Sequence, residues 1–169
     1  MKPHGLWLSF GVSDAELEEK ATWISRNHRG FPDFTVMYFR TAGSLIRFSR
    51  YDFTLVSLVF FQAVIGLEKM LKHFYQKETA ALKELFVRAV EEGVITDGSF
   101  SKIEPLRKEF RDLIDKERRT YAEKLACLIP ALRNEFFHGN YRLHPEFLLL
   151  AIQVREAVDA LLNAQSPNI

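Results

Sequence analysis

A chain of 169 residues suits one domain with enough interior to hold together without staples. An apolar share of 47% and a charged share of 27% are ordinary globular values, which exclude a disordered or fibrous polymer. The net charge of +1 and the single cysteine, Cys127, exclude a global basic field for nucleic acid, an internal disulfide framework and a cysteine-rich zinc site. Any nucleic-acid site must then be a local patch, and Cys127 reads as a small core residue.

Met1 to Phe10 lacks the charged start, apolar run and small-residue cleavage site of a secretory signal. The longest apolar run, Phe53 to Leu67, contains Thr54, Ser57 and Gln62 and falls short of the roughly 20 residues that span a bilayer. A cytoplasmic, soluble protein with no membrane contact is expected.

Ser13-Asp14-Ala15-Glu16 has capping-box spacing, which predicts a helix from about Asp14 to Asn27 with Leu17, Ala21 and Ile24 on one stripe. Gly30, Pro32 and Asp33 end it. Phe34 to Arg40 and Leu45 to Tyr51 are rich in aromatic and branched residues and flank Thr41-Ala42-Gly43-Ser44, a hairpin signal with a short helix as the alternative. From Asp52 the period becomes helical: Phe53, Val56, Phe60, Ala63, Leu67, Leu71 and Phe74 recur at three and four, while Gln62, Glu68, Lys69, Lys72 and His73 gather elsewhere. Another helix runs from Thr79 to Glu92 and meets Gly93. After the loop Thr96 to Ser99, Pro105 suits a first helical turn, and the segment to Leu128 is densely charged around Leu106, Phe110, Leu113, Ile114, Tyr121 and Leu125. Pro130 kinks or restarts the helix, and Pro145 opens a final helix to about Ala164.

The expected fold is therefore mainly α: an up-and-down bundle of four to five helices over 52–169, preceded by an N-terminal extension over 1–51 that holds a helix and room for a β-hairpin.

The chemistry begins with absences. Neither Gly-rich phosphate fingerprint is present, no histidine pair has zincin spacing, and no nucleophile elbow marks a serine. His4, His28, His73 and His144 stand alone. Arg133, Asn134 and His138 remain. On a helix, Asn134 and His138 share a face, and Arg133 lies about 100° around it, within reach through its long side chain. A cation, an amide and an imidazole suit an anionic phosphate: the guanidinium binds it, the imidazole moves a proton near neutral pH, and the amide orients either. No carboxylate cluster for magnesium accompanies them, so this set implies metal-independent chemistry without a cofactor. The spacing carries little alone, because about one such Arg–His pair arises by chance in a chain of this composition. Its context carries more: Asn directly after Arg, Gly139 directly after His, and an apolar helical frame.

On these residues, Arg133-Asn134-Glu135-Phe136-Phe137-His138, the chain resembles the HEPN superfamily, small and usually dimeric helical bundles whose signature is Arg, a polar residue that is often Asn, and a following His. The likeness spans Asp52 to Ala164, with Phe61 to Lys72 similar to the family's long early helix. It implies that Arg133 and His138 are the catalytic pair of a metal-independent endoribonuclease, supported by Asn134. It further implies a homodimer with a composite active site, an RNA substrate, and an antitoxin or other regulatory partner of a toxin or phage-defence effector. Asn140, Tyr141 and Arg142 are candidate RNA contacts, by stacking or phosphate pairing. One branch of the family carries a modifiable tyrosine two residues after the histidine. Here Asn140 holds that place, so that style of control is not implied. Two other readings stand beside this one: a non-catalytic module that binds a nucleotide, RNA or partner protein, and a structural subunit of a larger assembly.

Overall fold

The computed structural model describes residues 5–27, 30–101, 120–139 and 145–165. Among them are seven α-helices, one short 3-10 turn and no strand. The helices are α1 (Gly5–Ser9), α2 (Asp14–Ile24), α3 (Asp33–Ser49), α4 (Leu55–Tyr75), α5 (Leu82–Glu91), α6 (Tyr121–Phe137) and α7 (Glu146–Gln165), with the 3-10 turn at Asp97–Ser99. The mainly α expectation holds. No described helix is long and apolar enough to cross a membrane. The residues sort into two compact units, Met1–Leu67 with Arg142–Arg155, and Glu68–Tyr141 with Glu156–Ile169.

In the first unit, the Ser13 hydroxyl accepts from the Glu16 N–H at 3.2 Å and the Glu16 carboxylate accepts from the Ser13 N–H at 3.4 Å, so the capping box forms. The helix stops at Ile24 rather than Asn27 because the Ser25 hydroxyl turns back to the Ala21 carbonyl at 2.6 Å, a local bond that competes with helix extension. Leu17, Ala21 and Ile24 are buried as expected.

Of the two alternatives over 34–51, the helix forms and the hairpin does not: α3 runs unbroken from Asp33 to Ser49. Its buried positions, Thr35, Phe39, Ala42, Gly43, Ile46 and Ser49, keep steps of three and four, and packing of that stripe overrides the strand preference of aromatic and branched side chains. Gly43 serves as a contact instead of a turn. A Cβ there would stand 2.8 Å from the Ala21 carbonyl oxygen and 2.8 Å from Ser25 Cβ, so only glycine lets α2 and α3 approach this closely.

Arg155 of α7 closes the same unit. It is 1% exposed, donates from Nη1 to the Ile24 carbonyl at 2.7 Å, and lies 4.5 Å and 5.0 Å from the ring centroids of Phe31 and Phe39. The end of α2 thus receives a charged donor inside an aromatic cage. Trp7 donates to the Ser49 carbonyl at 2.6 Å and meets Phe53 edge-on at 4.8 Å, which pins α1.

In the second unit, α5 buries Leu82, Leu85, Phe86 and Ala89 and packs on α6. Arg88 and Tyr75 both donate to Glu92, at 2.7 Å and 2.8 Å, and the Arg88 guanidinium lies 4.5 Å from the Tyr75 ring centroid. The Arg88 hydrogen bond, then that of Tyr75, holds the Glu92 carboxyl below its ordinary range. The Tyr75 phenol is pushed upward, first by burial and then by Glu92.

Candidate functional site

The helix that carries the motif is fixed at both ends. Thr120 is its N-cap: the hydroxyl accepts from the Glu123 N–H at 3.1 Å, and the Glu123 carboxylate accepts from the Thr120 N–H at 3.0 Å. Asp97 takes a further orphan donor, the Ala122 N–H, at 2.8 Å, so three of the amides that a helix start exposes are satisfied by side chains. The extended backbone of Thr120 (ψ 160°) begins a new helix here; the part of the charged segment before it, 105–119, lies outside the described residues. Tyr121, Ala122, Leu125, Ala126, Leu128, Ile129 and Leu132 are buried along α6, and Cys127 is a buried free thiol. Pro130 sits within α6 without ending it. Its ring removes the N–H that the Ala126 carbonyl would otherwise accept, and its buried position shows packing outweighing that loss.

Arg133 projects from the last two turns. Its Nη2 lies 3.1 Å from Oε2 of Glu68 on α4, whose other oxygen accepts from Lys72 Nζ at 2.8 Å. The side chains of Glu68 and Lys72 are 17% and 16% exposed and that of Arg133 is 31% exposed, so the trio is screened only in part. Two cations against one carboxylate leave one positive charge. The guanidinium also lies 4.8 Å from the Phe137 ring centroid, four residues on in the same helix, an arrangement that holds it broadside to the ring. Arg133 Nε is buried and makes no hydrogen bond, a deficit that costs about 1–3 kcal/mol in general.

Asn134 and His138 are exposed. His138 is the C-cap of α6, and its N–H bonds the Asn134 carbonyl at 3.1 Å. Gly139 follows with φ +73° and donates to the Phe136 carbonyl at 3.1 Å. That left-handed residue is the natural stop for a helix, so the Gly after His is explained by chain geometry. Among the described residues no hydrogen bond joins Arg133 to His138 or to the Asn134 side chain; the backbone links Asn134 to His138, and the ion pair links Arg133 to Glu68. Asn140, Tyr141 and Arg142 lie outside the described residues.

Glu68 and Lys72 are the site residues that the motif alone does not reveal. The signal was present: a carboxylate and an ammonium four apart on a helix form an i,i+4 pair. What the sequence withholds is the third member, 65 residues away. Phe137, 60% exposed beside the exposed His138, adds a large apolar surface at this end of α6.

Comparison with models of known protein families, with curated proteins and with solved structures finds no match.

Proposed function

We propose that the chain is a metal-independent endoribonuclease of HEPN type that acts as a homodimer, with Arg133 and His138 as its catalytic pair and Asn134 in support. The observation that carries this reading is the Arg133 ion pair with Glu68 in the last two turns of α6, which also bear exposed Asn134 and end on exposed His138. One net positive charge, shared by Arg133, Glu68 and Lys72 across α6 and α4, is thereby offered together with an amide and an imidazole at the end of α6.

In the proposed reaction the 2′-hydroxyl oxygen of RNA bonds to the adjacent phosphorus, and the bond from phosphorus to the 5′-oxygen breaks. One His138 takes the hydroxyl proton, and the His138 of a second copy gives a proton to the leaving oxygen. The two Arg133 guanidiniums hold the charge that crowds the phosphate. The products are a 2′,3′-cyclic phosphate and a 5′-hydroxyl. Such an activity fits an effector of a toxin or phage-defence system, kept in check by an antitoxin or similar partner.

The test is cleavage of RNA in the presence of a chelator by wild type, Arg133→Ala and His138→Ala. Wild type yields cyclic-phosphate ends, while each variant loses roughly a hundredfold or more in rate with unchanged helicity. Equal cleavage by all three proteins overturns the reading. The ion pair also favours one other reading, a non-catalytic module that binds RNA, a nucleotide or a partner protein, because Glu68 offsets the Arg133 charge. Tight RNA binding without cyclic-phosphate product would establish that alternative.

A further inference from the structure

Helix α3 buries Thr35, Phe39, Ala42, Gly43, Ile46 and Ser49 along one stripe. The opposite face is not the charged one that a solvated helix presents. Met37 and Phe48 are 55% and 61% exposed, Tyr51 just past the helix is 44% exposed, and Thr41 and Ser44 are exposed between them. Exposed apolar side chains scattered singly are ordinary, but these stand in a row. With half-buried Phe34 they step by three, four, three, four and three residues, the spacing of a seam that meets another helix. From Met37 to Tyr51 the seam holds no charged side chain: Arg47 and Arg50 are drawn aside to Glu18 and Asp14 of α2, at 2.9 Å and 3.4 Å. The Thr41 hydroxyl donates to the Met37 carbonyl at 3.0 Å, so its polar atom is satisfied within the helix.

The order of side chains along the seam identifies its occupant. Its midpoint falls between Ala42 and Gly43. Thr41 and Ser44 stand equally far to either side, then Met37 and Phe48, then Phe34 and Tyr51, so small residues fill the centre and large ones the ends. An antiparallel copy of α3 brings Met37 against the partner's Phe48 and Phe48 against the partner's Met37, while Thr41 and Ser44 let the two backbones approach in the middle. A twofold contact requires such self-complementarity; a different protein requires none. The seam is about 25 Å long at about 1.5 Å per residue, and one helix pair is smaller than the ~800 Å² per partner of a standard interface, so association in the micromolar range is expected.

We propose that the chain pairs with a second copy of itself through this face of α3, the two helices antiparallel about a twofold axis at the Ala42–Gly43 midpoint. The contact does not rest on the nuclease reading.

Sedimentation of the full chain from about 1 to 300 μM, a range that brackets such an affinity, tests it. Wild type passes from monomer to dimer, and Phe48→Glu and Met37→Lys each weaken the dimer roughly tenfold or more with unchanged helicity. Mixing the two variants restores pairing, because the glutamate of one copy then faces the lysine of the other while the remaining Met37 meets the remaining Phe48. That recovery is specific to the antiparallel register. The proposal is overturned if wild type stays monomeric throughout, which would leave the face to another protein or to another segment of the chain. It is equally overturned if Phe48→Glu associates as wild type does, or if the mixed variants pair no better than each alone.

Discussion

Glu68 places one oxygen 3.1 Å from Arg133 Nη2 and the other 2.8 Å from Lys72 Nζ, so a single carboxylate orients the guanidinium of the motif from a different helix. Glu68→Gln is expected to lower thermal stability by about 1–2 kcal/mol, the range between exposed and fully buried pairs. If Arg133 is catalytic, the same change lowers the rate of RNA cleavage more than it weakens RNA binding, since the charge remains and only its position is lost. A substitution that weakens binding alone would show Glu68 to act on affinity and not on alignment.

Gly43→Ala sets two effects against each other. Alanine gains about 1 kcal/mol in helix propensity. The added methyl, however, meets the Ala21 carbonyl oxygen and Ser25 Cβ at 2.8 Å each, and overpacking of this kind costs about 1–3 kcal/mol. The ion pair of Arg47 with Glu18, at 2.9 Å across the same two helices, is exposed and supplies little to offset it. Net destabilisation is therefore expected, read as a lower urea midpoint with unchanged slope; a stabilised variant would mean that α2 and α3 separate without loss.

Gly139→Ala forces a side chain into φ +73° at a cost of about 1–2 kcal/mol. Relaxation of that strain moves the C-cap, His138. If the proposed cleavage takes place, it should fall further than stability, measured by single-turnover rates beside thermal unfolding; an active, merely less stable variant would show that the position of His138 is not set by the cap.

Two carboxyls of the second unit respond to pH in opposite senses. Arg88 and Tyr75 hold the Glu92 carboxyl below its usual range, so its contribution is present above the unfolded value, about 4.3, and is lost as pH falls through the lower folded value. Burial raises Glu156, so the folded chain keeps a proton that the unfolded chain releases, and stability declines as pH climbs from the unfolded value through the raised one. Urea midpoints of Glu156→Gln and wild type should coincide near pH 4 and separate toward neutral pH in favour of the variant, the sign set by that linkage. A gap that closes instead would place the carboxylate in a favourable environment.

Residues 55–75 and 146–165 were legible as helices because apolar side chains recur at three and four, and α2 because Ser13 and Glu16 meet across one turn. Residues 34–51 left hairpin and helix open because Phe34, Val36, Tyr38, Phe39 and Ile46 are strand-favouring types, and because Gly43, which marks a turn in one chain segment, marks a close helix crossing when a second segment arrives. The same limit applies to the site. Arg133, Asn134 and His138 are neighbours in sequence and could be picked out, but Glu68 is recognisable as the partner of Arg133 only after α4 and α6 have packed.

Arg155 reaches the Ile24 carbonyl across 131 residues, and this separation orders events during synthesis. Translation delivers α2 and α3 early, at about 5–20 residues per second, but the charged donor for the end of α2 does not exist until the ribosome has passed codon 155. Until then the rings of Phe31 and Phe39 close on no guanidinium. The first unit is discontinuous in the chain, so a nascent polypeptide stalled before α7 displays an incomplete N-terminal core, and the contact that seals it has among the highest loop-closure costs that this chain can incur.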